Sequence, residues 1–174
     1  MKTKGLLIVF TGNGKGKTTA ALGMALRAAG HGMKTLILQF IKGKWRYGEL
    51  ESLKRLEEIA ILPLGTGFTW KKENLEEDQK LAAEGWAKGR EAIGSGLYDL
   101  IIFDELNVVL DYGLLSVQEV LAAIQNRPPH LHVVLTGRNA PDAIMEAADL
   151  VTEMRAIKHP YREKGIRAQK GVEF

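Results

Sequence analysis

The stretch Thr11–Thr19, TGNGKGKTT, follows the apolar run GLLIVF (Gly5–Phe10) and precedes AALGMALRAAG. A strand, a glycine loop with lysines and threonines, and a helix make a cradle for phosphate. Backbone N–H groups of such a loop point at anionic oxygens, and the helix N-terminus adds partial positive charge. In that reading Lys17 reaches the phosphates and Thr18 ligates Mg²⁺. The spacing departs from G-x-x-x-x-G-K-[ST]: Thr11 stands where the first glycine belongs, and Gly12 comes one place late. Gly12, Gly14 and Gly16 alternate, with Asn13 and Lys15 between them, and Thr19 follows Thr18. Each lysine near a polyphosphate contributes at most roughly 4 kcal/mol at an effective dielectric of about 20.

The rest of the chain repeats the alternation of short apolar runs and helical stretches. Strands are expected at Leu6–Phe10, Thr35–Phe40, Ile59–Leu64, Leu100–Phe103 and Leu131–Leu135, with Leu150–Ile157 a further one. Helices are expected at Lys17–Ala29, Gly48–Glu58, Leu75–Ile93, Ser116–Gln125 and Pro141–Ala148. On the first helix Leu22, Leu26 and Ala29 form the apolar stripe; on the third Ala82, Gly85, Trp86, Gly89 and Ile93 share a face. The tail Lys158–Phe174 is polar with little periodicity. This pattern predicts an α/β fold, a mostly parallel sheet with helices on both faces. Right-handed crossovers put the strand-to-helix loops on one edge, where ligands of such folds bind. A chain of 174 residues is expected to form one domain.

The residues after the strand ends carry the chemistry. DLIIFDE (Asp99–Glu105) is an apolar strand ending in carboxylates, the way these folds hold Mg²⁺. Asp104 and Glu105 are adjacent and point in different directions, so one can bind metal while the other orients a neighbour. A capping aspartate beside a solvated glutamate is the alternative. GTGFTW (Gly65–Trp70) places Phe68 and Trp70 in a glycine loop. They suit a flat apolar ligand or a partner, or they cover the core. TGRNAP (Thr136–Pro141) offers Arg138 to neutralise phosphate charge or to form a surface pair; Lys42 and Arg46 are similar candidates. His31 and His159 are isolated, with no second ligand at metal spacing, and read as structural or solvated. On these residues alone an ATP-hydrolysing enzyme leads, but GTGFTW fits it poorly.

Composition narrows the partners. The net charge of +3 suits an anionic small ligand, and no basic run or aromatic–basic ladder speaks for nucleic acid. The absence of cysteine excludes disulfides and thiolate chemistry. No segment is long enough to span a membrane, and a cytoplasmic location is the default expectation.

Taken together, the sequence resembles the P-loop-type ATP:corrinoid adenosyltransferases. The resemblance rests on GNGKGKTT (Gly12–Thr19), QFIKG (Gln39–Gly43), GTGFTW, DLIIFDELNVVL (Asp99–Leu110), LTGRNAP (Leu135–Pro141), ADLVTEM (Ala148–Met154) and HPYREKGIRAQKGVEF (His159–Phe174). It implies a P-loop NTPase-like (RecA-like) three-layer fold. It implies transfer of the 5′-deoxyadenosyl group of ATP to the Co(I) centre of a corrinoid, with inorganic triphosphate leaving. By motif match, Gly12, Asn13, Gly14, Lys15, Gly16, Lys17, Thr18 and Thr19 hold the triphosphate, with Arg138 near it. Thr18 and Glu105 are the Mg²⁺ partners, with Asp104 beside them, and Lys17 and Glu105 are the catalytic pair. Phe68 and Trp70 match aromatics that pack under the corrinoid, displace its lower ligand and ease reduction of Co(II). The resemblance also implies a homodimer and a reduced, flavodoxin-like flavoprotein as electron donor.

Overall fold

The structure is a computed structural model that describes residues 4–43, 47–65 and 75–174. The strands are β1 (Leu7–Thr11), β2 (Thr35–Gln39), β3 (Ile59–Pro63), β4 (Leu100–Asp104), β5 (His132–Thr136) and β6 (Leu150–Glu153). The helices are α1 (Lys17–Ala29), α2 (Gly48–Leu53), α3 (Leu75–Ser95), α4 (Leu106–Asp111), α5 (Val117–Gln125), α6 (Asp142–Ala147) and α7 (Pro160–Lys164). The strands form one six-stranded sheet in the order β3-β2-β4-β5-β1-β6. Every pairing in it is parallel.

The apolar runs become central strands because their residues are buried on both faces, as parallel sheets require. Alternate residues of β1 divide between two cores. Leu7 and Val9 pack with Leu36, Leu38, Ile101, Phe103 and residues of α3 to α6. Ile8 and Phe10 pack with Ile37, Ile102, Val134 and residues of α1 and α2. The result is helix, sheet, helix: the three layers that the alternation predicts. The two edges differ. β6 is exposed along its length, and β3 is mostly exposed with Pro63 at its end, where a missing N–H costs nothing to a ladder.

The stripe on α1 differs from the sequence expectation. Ala21, Ala25 and Ala28 face the sheet, Leu22 and Ala29 pack partly buried beside them, and Leu26 is 59% exposed. Small residues bring α1 close to β1 and β4, so the loop that feeds it lies tight over the strand ends. The face expected on α3 does form. Ala82, Trp86 and Ile93 are buried, and a Cβ added at Gly89 would meet Phe103 Cε1 at 2.6 Å. That close approach lets Trp86 pack tilted against Phe103, 5.5 Å from ring centre to ring centre.

Other boundaries move. The second helix ends at Leu53 rather than Glu58, and β6 ends at Glu153 rather than Ile157. DELN does not open into a loop; α4 begins at Leu106, directly behind Glu105. The tail holds the short helix α7, with Pro160 in its first turn. α5 begins behind Ser116, whose hydroxyl accepts from Glu119 N–H.

Candidate functional site

The carboxyl ends of β1, β4 and β5 meet an open groove of about 840 Å³. That volume suits a nucleotide-sized ligand. One wall is Asn13–Thr19 and the start of α1; another is Val108 and Asp111 of α4 with its caps Glu105 and Tyr112, and Arg138 and Asn139 also line the groove. Lys42, Glu49, Ser52, His159 and Gly171–Phe174 line it as well.

Two alternating glycines of the loop answer to its neighbours. Gly14 N–H donates to the carbonyl of Met154 at 2.6 Å, just past β6. A Cβ at Gly12 or Gly14 would fall 2.5 or 2.6 Å from that same oxygen. Close packing against the end of β6 therefore excludes side chains there. Gly16 caps α1 in the left-handed region, φ 106°, with no side chain capping the helix. The first N–H groups of α1 are thus left to whatever enters the groove.

Lys17 is buried and folds back over the loop. Its Nζ donates to the carbonyls of Gly12 (2.8 Å) and Gly14 (2.7 Å). Burial lowers its pKa, Glu105 opposes that, and Arg138 and Lys15 reinforce it. A phosphate that recruits this ammonium competes with neutral carbonyls, a weaker attachment than an ion pair.

Asp104 is 1% exposed and its carboxylate is surrounded by donors. Oδ1 accepts from Thr18 Oγ1 (2.8 Å) and Thr136 Oγ1 (2.7 Å), and Oδ2 from Gln39 Nε2 (3.1 Å). Lys42 Nζ lies 3.8 Å from Oδ2 and 2.6 Å from Glu49 Oε1. Asp104 thus ties the ends of β2, β4 and β5 to the first turn of α1. Glu105 adopts φ 63°, rare for a residue with a side chain. Its N–H donates to Thr136 Oγ1 at 2.9 Å, which holds the strained turn. Burial first, and the Asp104 charge second, raise the pKa of Glu105; Lys17, Lys42 and Arg138 pull it down.

Asn139 is the other non-glycine residue with positive φ among those described, at 52°. Its side chain donates to Asp111 Oδ2 (2.8 Å), and Ala140 N–H donates to Thr11 Oγ1 (3.2 Å). These bonds fasten the TGRNAP loop to α4 and to β1, with Arg138 on the groove.

The groove therefore brings together Asn13, Gly14, Lys15, Gly16, Lys17, Thr18, Thr19, Glu105 and Arg138. Gly12 and Asp104 stand directly behind them. Phe68, Trp70 and Arg46 lie outside the described residues. Sequence reasoning assigned no role to Gln39 or Thr136, although both lie in motifs it singled out; only the strand order brings them to Asp104. His159, expected to be structural or solvated, lines the groove, and its Nδ1 is buried without a hydrogen-bond partner. His31 is exposed, away from it.

The fold is shared with solved structures of low sequence identity. A flagellar accessory protein FlaH from Methanocaldococcus jannaschii superposes with TM-score 0.52 at 12% identity, over 86% of this chain and 71% of that one. A KaiC-like protein from Pyrococcus horikoshii gives 0.50 at 14% identity, over 89% and 74%. The fold is the P-loop, RecA-like one. Closer relatives are enzymes. A corrinoid adenosyltransferase of Sinorhizobium sp is 45% identical, over 98% of this chain and 81% of its own length. The corrinoid adenosyltransferase CobA of Salmonella typhimurium is 41% identical, over 98% and 86%. The profile of the family described as ATP:corrinoid adenosyltransferase BtuR/CobO/CobP matches residues 3–174. The chain belongs to the ATP:corrinoid adenosyltransferase family.

Proposed function

We propose that this groove holds ATP with its whole triphosphate on Gly12–Thr19, and that the enzyme transfers the 5′-deoxyadenosyl group to a Co(I) corrinoid. The observation that carries this reading is the clustering of Lys15, Lys17, Lys42 and Arg138 around one groove at the strand ends. Cobalt supplies the electron pair for a bond to the ribose 5′ carbon. The bond from that carbon to its oxygen breaks, and its electrons leave with inorganic triphosphate. The corrinoid carries the hard chemistry, so the protein's task is to position and to stabilise the departing charge.

The donor set fits Mg²⁺. That ion takes oxygen ligands and is usually held by one or two carboxylates together with substrate phosphates, so a closed protein cage is not needed. Thr18 Oγ1 already lies against Asp104, and Glu105 reaches the same groove from the strained turn behind β4. Thr18 and Glu105 would hold the ion, with Asp104 orienting Thr18. The bound ion would offset charge on the triphosphate. Lys17 exchanges its loop carbonyls for phosphate oxygens, and Arg138 adds a cation from the β5 side. The low local dielectric that raises the Glu105 pKa also strengthens these attractions.

The wider reading follows the family. Phe68 and Trp70 pack under the corrinoid and favour its reduction, a reduced flavoprotein delivers the electron, and the enzyme works as a homodimer of single-domain chains in the cytoplasm. Among the described residues, no helix is long and apolar enough to cross a membrane.

The test is the leaving group. Protein, Mg-ATP and Co(I) cobalamin are mixed without oxygen in dim light, and the phosphorus products are resolved by NMR. Triphosphate should appear in step with a light-sensitive cobalt–carbon product, with little turnover when the corrinoid is withheld. ADP and phosphate formed at a rate indifferent to corrinoid would replace this reading with an ATPase.

A further inference from the structure

The segment Gly171–Phe174 lines the same groove as the phosphate loop. Around it the chain is exposed from Tyr161 to Val172, yet the Glu173 side chain is only 16% exposed. A turn holds it there. Val172 N–H and Glu173 N–H both donate to Gln169 O, at 3.2 and 2.9 Å, and Gly171 N–H donates to Phe174 O at 2.8 Å. From this turn Glu173 Oε1 meets Lys15 Nζ at 2.9 Å. Two other carboxylates of the groove have other partners: Glu49 pairs with Lys42, and Asp111 accepts from Asn139. Glu173 is paired with a cation of the loop itself.

We propose that Glu173 is a built-in stand-in for phosphate at Lys15. An entering polyphosphate takes Lys15 from this carboxylate, and the carboxylate reclaims it when the polyphosphate leaves. The inference rests on the phosphate-loop reading above. A loop with several cations binds a departing triphosphate tightly, which slows its escape. An internal carboxylate that competes for one of those cations weakens that hold. Glu173 acts through Lys15, so it is a positioning residue for phosphate exchange and not a catalytic one.

The experiment is a double-mutant cycle on the full chain. Binding of inorganic triphosphate in Mg²⁺ buffer is measured by calorimetry for wild type, Glu173→Gln, Lys15→Gln and the double variant, with thermal melts alongside. Breaking a partly exposed pair is worth up to ~5-fold. Glu173→Gln should therefore bind triphosphate about three- to five-fold more tightly, and lower the KM for ATP in the same direction. In the Lys15→Gln background the same change should have no effect. A purely structural wall would move the other way, since damage to it weakens binding. Unchanged or weaker binding by Glu173→Gln, or a gain that survives loss of Lys15, overturns the inference while leaving the loop's role intact. A wild-type chain that binds neither triphosphate nor ATP overturns the phosphate-loop reading itself, and the inference with it.

Discussion

Thr136 Oγ1 donates to Asp104 Oδ1 at 2.7 Å, so a hydroxyl at the end of β5 fixes a carboxylate at the end of β4. The same oxygen accepts from Glu105 N–H. One side chain thus serves both members of the acidic pair, and it does so because β5 lies beside β4 in the sheet.

Thr136→Val keeps the shape and removes both bonds. It leaves a buried acceptor and a buried N–H short of a partner, a loss of about 1–3 kcal/mol. Urea unfolding should show that loss, and Thr136→Ser should recover most of it. A valine variant as stable as wild type would remove Thr136 from the support of this pair.

Lys17→Ala separates binding from folding. The lysine donates to the Gly12 and Gly14 carbonyls of its own loop and lines the groove, so water from the groove can replace it. Stability should change by no more than about 1 kcal/mol, while Mg-ATP binding falls below detection in calorimetry. Wild-type-like affinity would take Lys17 out of the site.

Glu105 makes stability depend on pH in a particular direction. Its pKa in the fold lies above its ordinary value of 4.5. Between 4.5 and the raised value the folded protein keeps a proton that the unfolded chain gives up, so stability falls as pH rises through that window. Glu105→Gln should flatten this slope and be the more stable protein at neutral pH, yet lose Mg²⁺-dependent turnover. Denaturant melts taken upward from roughly pH 4, where ordinary carboxylates titrate, to neutral pH provide the check. A variant with an unaltered slope would show that Glu105 does not titrate there.

The double variant Phe68→Ala/Trp70→Ala should part reduction from transfer. Given Co(I) corrinoid prepared chemically, adenosylation should largely survive. Starting from Co(II) with a reduced flavoprotein, it should collapse. Equal losses in both assays, with a lowered melting temperature, would make these aromatics structural.

The fold was legible because parallel strands buried on both faces are written as unbroken apolar runs, and LIVF at the start of β1 and LIIF at the start of β4 are such runs. The glycine loop and the acidic pair stood out because their residue types sit next to each other in the chain. What stayed hidden depends on strand order and on small residues. Nothing local tells that Thr136 and Gln39 converge on Asp104, since that follows from β4 lying between β2 and β5. Leu26 on α1 was misread because leucine outweighs alanine in any apolar count, whereas closeness to the sheet favours alanine. The tail has no periodicity to announce that Glu173 reaches Lys15.

The bond from Gly14 N–H to Met154 O has a consequence for how the protein is made. The glycine loop precedes β6 by most of the sheet, yet one of its walls is the backbone at the end of β6. Residue 14 therefore waits for residue 154. A growing chain on the ribosome can pair its earlier strands and still lack a finished loop, because contacts so distant in sequence close last. Until then its folding rests on the apolar layers alone.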